Sequence, residues 1–102
     1  MATLEELTDR IRRAAASGDG LSRTVKLDLK GEGFIHVAGA VVTNDDADAE
    51  LTVRISRADL VKLGKGELNP MSAVMTGRMK LSDMSLAMSL TPQIQALFEL
   101  AV

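Results

Sequence analysis

Cysteine, tryptophan and tyrosine are all missing from this chain, and Phe34 and Phe98 are its only aromatic residues. Without cysteine there can be no disulfide, no thiol nucleophile and no thiolate metal site. Two phenylalanines cannot build the stacking platforms that single-stranded nucleic acid needs. They also leave few of the rigid aromatic anchors that dominate many protein interfaces. The one histidine, His36, has no second histidine or cysteine to share a metal with, so it reads as a surface or hydrogen-bonded strand residue. Charge of one sign is scarce too: 12 basic and 14 acidic residues leave a net charge of -2, which gives no strong pull toward polyanions. No unbroken apolar run approaches the roughly 20 residues of a membrane span, or the core of a signal peptide. A cytoplasmic protein is the expectation. At 102 residues the chain is expected to form a single domain, 1–102, with one hydrophobic core.

What is present is aliphatic. Hydrophobic residues make up 46% of the chain, so the interior must be built from Leu, Val, Ile, Ala and Met. Five of the six methionines, Met71, Met75, Met79, Met84 and Met88, fall within 69–90. Nothing in that stretch is a convincing nucleophile, metal ligand or proton-transfer group. Soft, unbranched thioethers suit either an irregular core or a wall that adapts to an oily ligand.

Thr3 and Glu6 form a capping box ahead of a stripe at Leu4, Leu7, Ile11 and Ala14 or Ala15, which predicts an amphipathic helix ended by Gly18. Residues 24–30 alternate as a strand, 31–33 make a glycine turn, and 34–42 read as the returning strand of a hairpin. A strand follows Gly31 and Gly33, so they are not a nucleotide-binding loop. The acidic run 44–50 lacks the central glycine and terminal glutamate spacing of a calcium loop. A third strand spans 51–55. Ser56 and Asp59 open a short helix closed by Gly64, and Asn69-Pro70 opens another that runs to Gly77. Residues 78–81 alternate as a fourth strand, with Met79 and Leu81 inward. Between Met84 and Leu90 the signals conflict. Strict alternation favours a strand, whereas Asp83 as a cap and the Leu, Ala and Met content favour a helix. Pro92 reads as the start of a final helix with Ile94, Leu97 and Phe98 on its apolar face. This order of elements indicates α+β with a largely antiparallel sheet.

Several short motifs, in this order, resemble the sterol carrier protein 2 lipid-transfer family. They are Val25-Lys26-Leu27-Asp28-Leu29-Lys30-Gly31, then Ala49-Glu50-Leu51-Thr52-Val53 with Ser56 and Asp59-Leu60. Further on come Leu63, Gly66, Leu68-Asn69-Pro70, Ala73, Gly77, Met79-Lys80-Leu81 and Asp83-Met84-Ser85-Leu86-Ala87-Met88. Two departures stand out. Ser82 alone separates Leu81 from Asp83, where the family usually has a glycine, and Val74 and Met75 replace aromatic residues often found there.

The resemblance implies a five-stranded, mainly antiparallel sheet covered on one face by helices, with an apolar tunnel between them. It turns the Met84–Leu90 conflict toward helix. It leaves the fifth strand to a short extension near Leu81 or to a split of the long second run. It further implies a carrier of fatty acid, acyl-CoA, sterol-like lipid or phospholipid that is not an enzyme and has no cofactor, catalytic residue or metal. The candidate lipid-binding residues are Phe34, Val74, Met75, Met79, Leu81, Met84, Met88, Ile94, Leu97 and Phe98. The expected partner is a small hydrophobic ligand rather than nucleic acid, with room for transient membrane contact and for a homodimer. The alternative is an interaction or accessory module of the same fold, dimeric and with its cavity filled in.

Overall fold

The computed structural model describes residues 3–17 and 22–101; side chains at 98, 100 and 101 lie outside that description. The expected stop at Gly18 falls outside it as well. The first helix, α1 (Leu4–Ser17), starts where Thr3 Oγ1 accepts the Glu6 amide at 3.2 Å. It buries Leu7, Ile11, Ala14 and Ala15 along the stripe the sequence implied. Thr8, buried beside them, donates to the Leu4 carbonyl and accepts from Asn44 Nδ2 at 2.9 Å, so its hydroxyl is satisfied.

Five strands follow in part: β1 (Val25–Asp28), β2 (Phe34–Ala38), β3 (Val41–Thr43), β4 (Leu51–Ile55) and, after two helices, β5 (Met79–Leu81). They form one sheet in the order β3-β2-β1-β4-β5. The fifth strand comes from splitting the 34–42 run. Gly39, at φ +62°, turns the chain between β2 and β3, a left-handed conformation that glycine adopts without steric penalty. Three strand pairs are antiparallel, whereas β1 and β4 run parallel, with Leu27 opposite Val53. The sheet is therefore mixed, though mostly antiparallel.

Alternation divides its faces. Val25, Leu27, Ile35, Val37, Leu51, Val53 and Ile55 point into the core, and Lys26, Asp28, Phe34, His36 and Arg54 point away. On that outer face Lys26 Nζ meets Asp46 Oδ1 at 2.7 Å and lies 5.5 Å from the Phe34 ring centre. The hydrogen bond to Asp46 holds the lysine above its usual pKa, partly opposed by desolvation. His36 Nε2 pairs with the Asp48 carbonyl at 3.0 Å, the hydrogen-bonded strand role expected of it.

The remaining helices are α2 (Arg57–Gly64), α3 (Pro70–Met75) and α4 (Met84–Ala101). Residues 84–101 form one continuous helix, which resolves the 84–90 conflict toward helix and moves Pro92 from a helix start to a helix interior. Alternating residues could mimic a strand here because both Leu86 and Leu90 turn toward protein, half-buried and buried respectively. The helical stripe that reaches the core is Ala87, Leu90, Ile94 and Leu97.

Candidate functional site: an uncharged trough

Two short elements and one long helix shape an apolar trough at the β5 edge of the sheet. Asn69 starts α3 by accepting the Met71 and Ser72 amides on Oδ1, at 2.9 and 3.3 Å, and Pro70 supplies the first-turn φ. This short helix buries Ala73 completely and directs Pro70, Met71 and Val74 along one side of the trough. Gly77, at φ +77°, then turns the chain into β5, whose Met79 and Leu81 form the floor. Ser82 ties this edge down: its Oγ accepts the Thr52 amide at 2.8 Å, and its own amide donates to the Thr52 carbonyl at 3.0 Å. Asp83 caps α4, accepting from the Leu86 amide at 3.0 Å, and the helix supplies the opposite wall through Met84, Ala87, Met88, Thr91 and Pro92.

The trough encloses about 430 Å³. A narrower pocket of about 50 Å³ borders it, sharing Pro70, Met79, Leu81, Ala87 and Thr91 and adding Val53, Leu63, Ile94 and Gln95. The larger volume lies in the range typical of small-molecule sites. Among the described residues, no ionisable side chain lines either space. The polar groups that do are engaged. Thr91 donates to the Ala87 carbonyl at 2.8 Å, Gln95 Nε2 donates to the Leu63 carbonyl at 3.3 Å, and Asn69 caps its helix. Such a surface can withdraw hydrocarbon from water and offers little else.

Of the residues singled out in the sequence, the structure brings Val74, Met79, Leu81, Met84 and Met88 together in the trough and Ile94 into the adjoining pocket. Leu97 lies in the core and lines neither space. Phe34 sits on the opposite face of the sheet, against Lys26. Its parity matches that of His36, which separates it from the inward-facing Ile35 and Val37. Met75 is 80% exposed and turns away from the trough at the end of α3. The Phe98 side chain lies outside the described residues. Sequence reasoning missed Asn69, Pro70, Met71, Ala87, Thr91 and Pro92 of the trough lining. Helical spacing would have found Ala87 and Thr91, since 84, 87, 88 and 91 share one face once the segment is read with a 3.6-residue period.

Comparison with known proteins places this geometry in context. A model of the SCP-2 sterol transfer family matches residues 2–95. Sterol carrier protein 2 of Oryctolagus cuniculus is 42% identical over 53 residues, 51% of this chain, and the match spans about a tenth of that relative's length. The crystal structure of Sterol Carrier Protein 2 Like 2 from Aedes aegypti matches at 21% identity with a TM-score of 0.72, covering 85% of this chain and 92% of that one. The solution structure of Sterol Carrier Protein 2 from Aedes aegypti in complex with palmitate matches at 17% identity and a TM-score of 0.68, covering 90% and 94%. At these identities the two structures show a shared fold.

Proposed function

The chain belongs to the SCP-2 sterol transfer family, and from that premise we propose that it binds a lipid in the trough between α3, β5 and α4 and carries it unchanged. The observation that carries this reading is the trough itself: about 430 Å³ of space walled by methionine, leucine, valine, alanine and proline, without an ionisable group among its described lining residues. Each methylene withdrawn from water contributes about 0.8 kcal/mol, so about ten of them supply roughly 8 kcal/mol gross. The cost of association takes part of that, which leaves affinities near micromolar. Met71, Met84 and Met88 let the walls repack around chains of differing shape.

Carriage without chemistry follows from the lining, whose hydroxyl and amides are committed to the protein's own backbone rather than poised toward a reacting atom. A relative that holds palmitate supports an acyl-chain ligand. Among the described residues no helix is long and apolar enough to cross a membrane. A cytoplasmic carrier that meets membranes only to load and unload is the setting that suits this site. The exposed methionines at its mouth are the surface that would touch a bilayer, or a second copy, during exchange.

Native mass spectrometry of the purified protein, with thermal melts against long-chain alcohols, acids and sterols, tests this reading. A retained lipid, or a ligand-dependent rise in Tm, is expected. Absence of both would remove the carrier function and leave the fold.

A further inference from the structure

We infer that Met71, Met84 and Met88 form an oxidation site that governs loading: a peroxide converts their thioethers to sulfoxides, and the trough then lets its lipid go. This rests on the carrier reading and adds control of that same site.

The distribution of methionine carries the inference. Among the described residues the buried apolar core is leucine, isoleucine, valine and alanine, with Met79 its one methionine. Four of the five large apolar side chains left exposed are instead methionines. Three of them, Met71, Met84 and Met88, wall the trough at 59%, 48% and 61% exposure, and the fourth, Met75, stands outside it. Leucine would withdraw hydrocarbon from water as well as methionine does. Methionine adds a sulfur that an oxidant in solution can reach. The chain has no cysteine, so no thiol of its own competes for that oxidant.

The step needs only the peroxide. A sulfur lone pair attacks one oxygen of hydrogen peroxide, and the O–O bond breaks as the S–O bond forms. The departing hydroxide takes the proton of the transferred oxygen and leaves as water. Sulfur gives up two electrons, which the peroxide accepts.

The consequence falls on the loaded state. In the empty trough each sulfoxide keeps its water, because these side chains are about half exposed or more. A seated hydrocarbon chain removes that water and has no donor to give the sulfoxide oxygen. One such stranded acceptor corresponds to roughly tenfold in affinity. Met79, 8% exposed in the floor, is shielded, so the core beneath the trough stays intact. A lipid lying over Met71, Met84 and Met88 in turn shields their sulfurs and leaves Met75 open.

The test treats the intact chain with hydrogen peroxide, maps sulfoxides by peptide mass spectrometry, and measures binding of hexadecan-1-ol before and after. This probe is uncharged, so a change reports the walls. With Met71, Met84 and Met88 oxidised, binding should weaken about tenfold or more while the Tm of the empty protein holds. Methionine sulfoxide reductases should restore it. The triple variant Met71→Leu, Met84→Leu, Met88→Leu, compared with itself before treatment, should lose less than about twofold. Hexadecan-1-ol added first to the intact chain, which needs no substitution, should slow oxidation of the three trough methionines several-fold and leave Met75 unaffected. Unchanged binding after oxidation at all three, or an equal loss in the triple variant, overturns the inference. So do oxidation confined to Met75, rates that lipid does not alter, and a fall in Tm of the empty protein that accounts for the lost binding. Each of these leaves carriage standing, whereas failure of the untreated chain to bind removes the carrier reading itself.

Discussion

The Asp83 carboxylate accepts the Leu86 amide at 3.0 Å, so the residue that starts α4 can stabilise it both as a cap and as a negative charge at the helix N-terminus. These two roles separate by substitution. Asp83→Ala removes the cap and should cost about 1 kcal/mol of unfolding free energy, whereas Asp83→Asn should cost much less. Urea denaturation of the two variants checks this. An equal loss in both would mean that charge rather than capping stabilises the helix start.

Ala87 is the small residue shared by the trough and its adjoining pocket. Ala87→Phe should fill the space where a chain would lie. Because part of the added ring enters existing space, the stability cost should stay within the roughly 1–3 kcal/mol of a small-to-large core substitution. The ligand-induced rise in Tm should disappear. A variant that keeps the full rise would place the ligand elsewhere.

Gly33 has φ +128°, and a Cβ there would approach Leu4 Cδ2 to 2.6 Å. Gly33→Ala should therefore destabilise by about 1–3 kcal/mol through backbone strain and displacement of the Leu4 side chain. Gly31, at φ +90° with open space around it, separates the two causes: Gly31→Ala carries strain alone. Thermal melts should rank Gly33→Ala as the less stable variant, and a Leu4→Ala background should reduce the difference.

On the outer face, Lys26 is held above its usual pKa first by its hydrogen bond to Asp46. The folded state thus binds this proton more tightly than the unfolded chain does. The resulting stability is fully present below the ordinary lysine pKa and is lost as pH climbs through the raised value. Lys26→Met should therefore lower the denaturation midpoint by a constant amount from neutral to moderately alkaline pH. The difference should shrink at strongly alkaline pH. A gap that widens with rising pH would contradict the assignment.

Helix α1, the hairpin, β4 and the two capped short helices were legible because each announces itself through local chemistry: Thr3, the 31–33 turn, Ser56 and Asn69. Two features were not. The split of 34–42 rests on Gly39 taking a left-handed φ, and nothing in an Ala-Gly-Ala sequence demands that. Residues 84–90 carry a period-2 pattern inside a helix, because α4 meets core on one side and the trough on another, so apolar residues are needed around more than one face. The same ambiguity hid Ala87 and Thr91. Phe34 stands among the site candidates, although its parity with His36, the register partner of Lys26, puts it on the outer face. Site membership depends on how β5, α3 and α4 meet, and that is tertiary information.

The most direct measurement is a methionine-methyl NMR titration with hexadecan-1-ol, because the methionines report from both inside and outside the trough. Met71, Met79, Met84 and Met88 should shift together and saturate, while Met75, 80% exposed and turned away, should stay in place. A spectrum in which the trough methionines remain still, or in which Met75 moves as much as they do, would contradict a lipid seated between α3, β5 and α4.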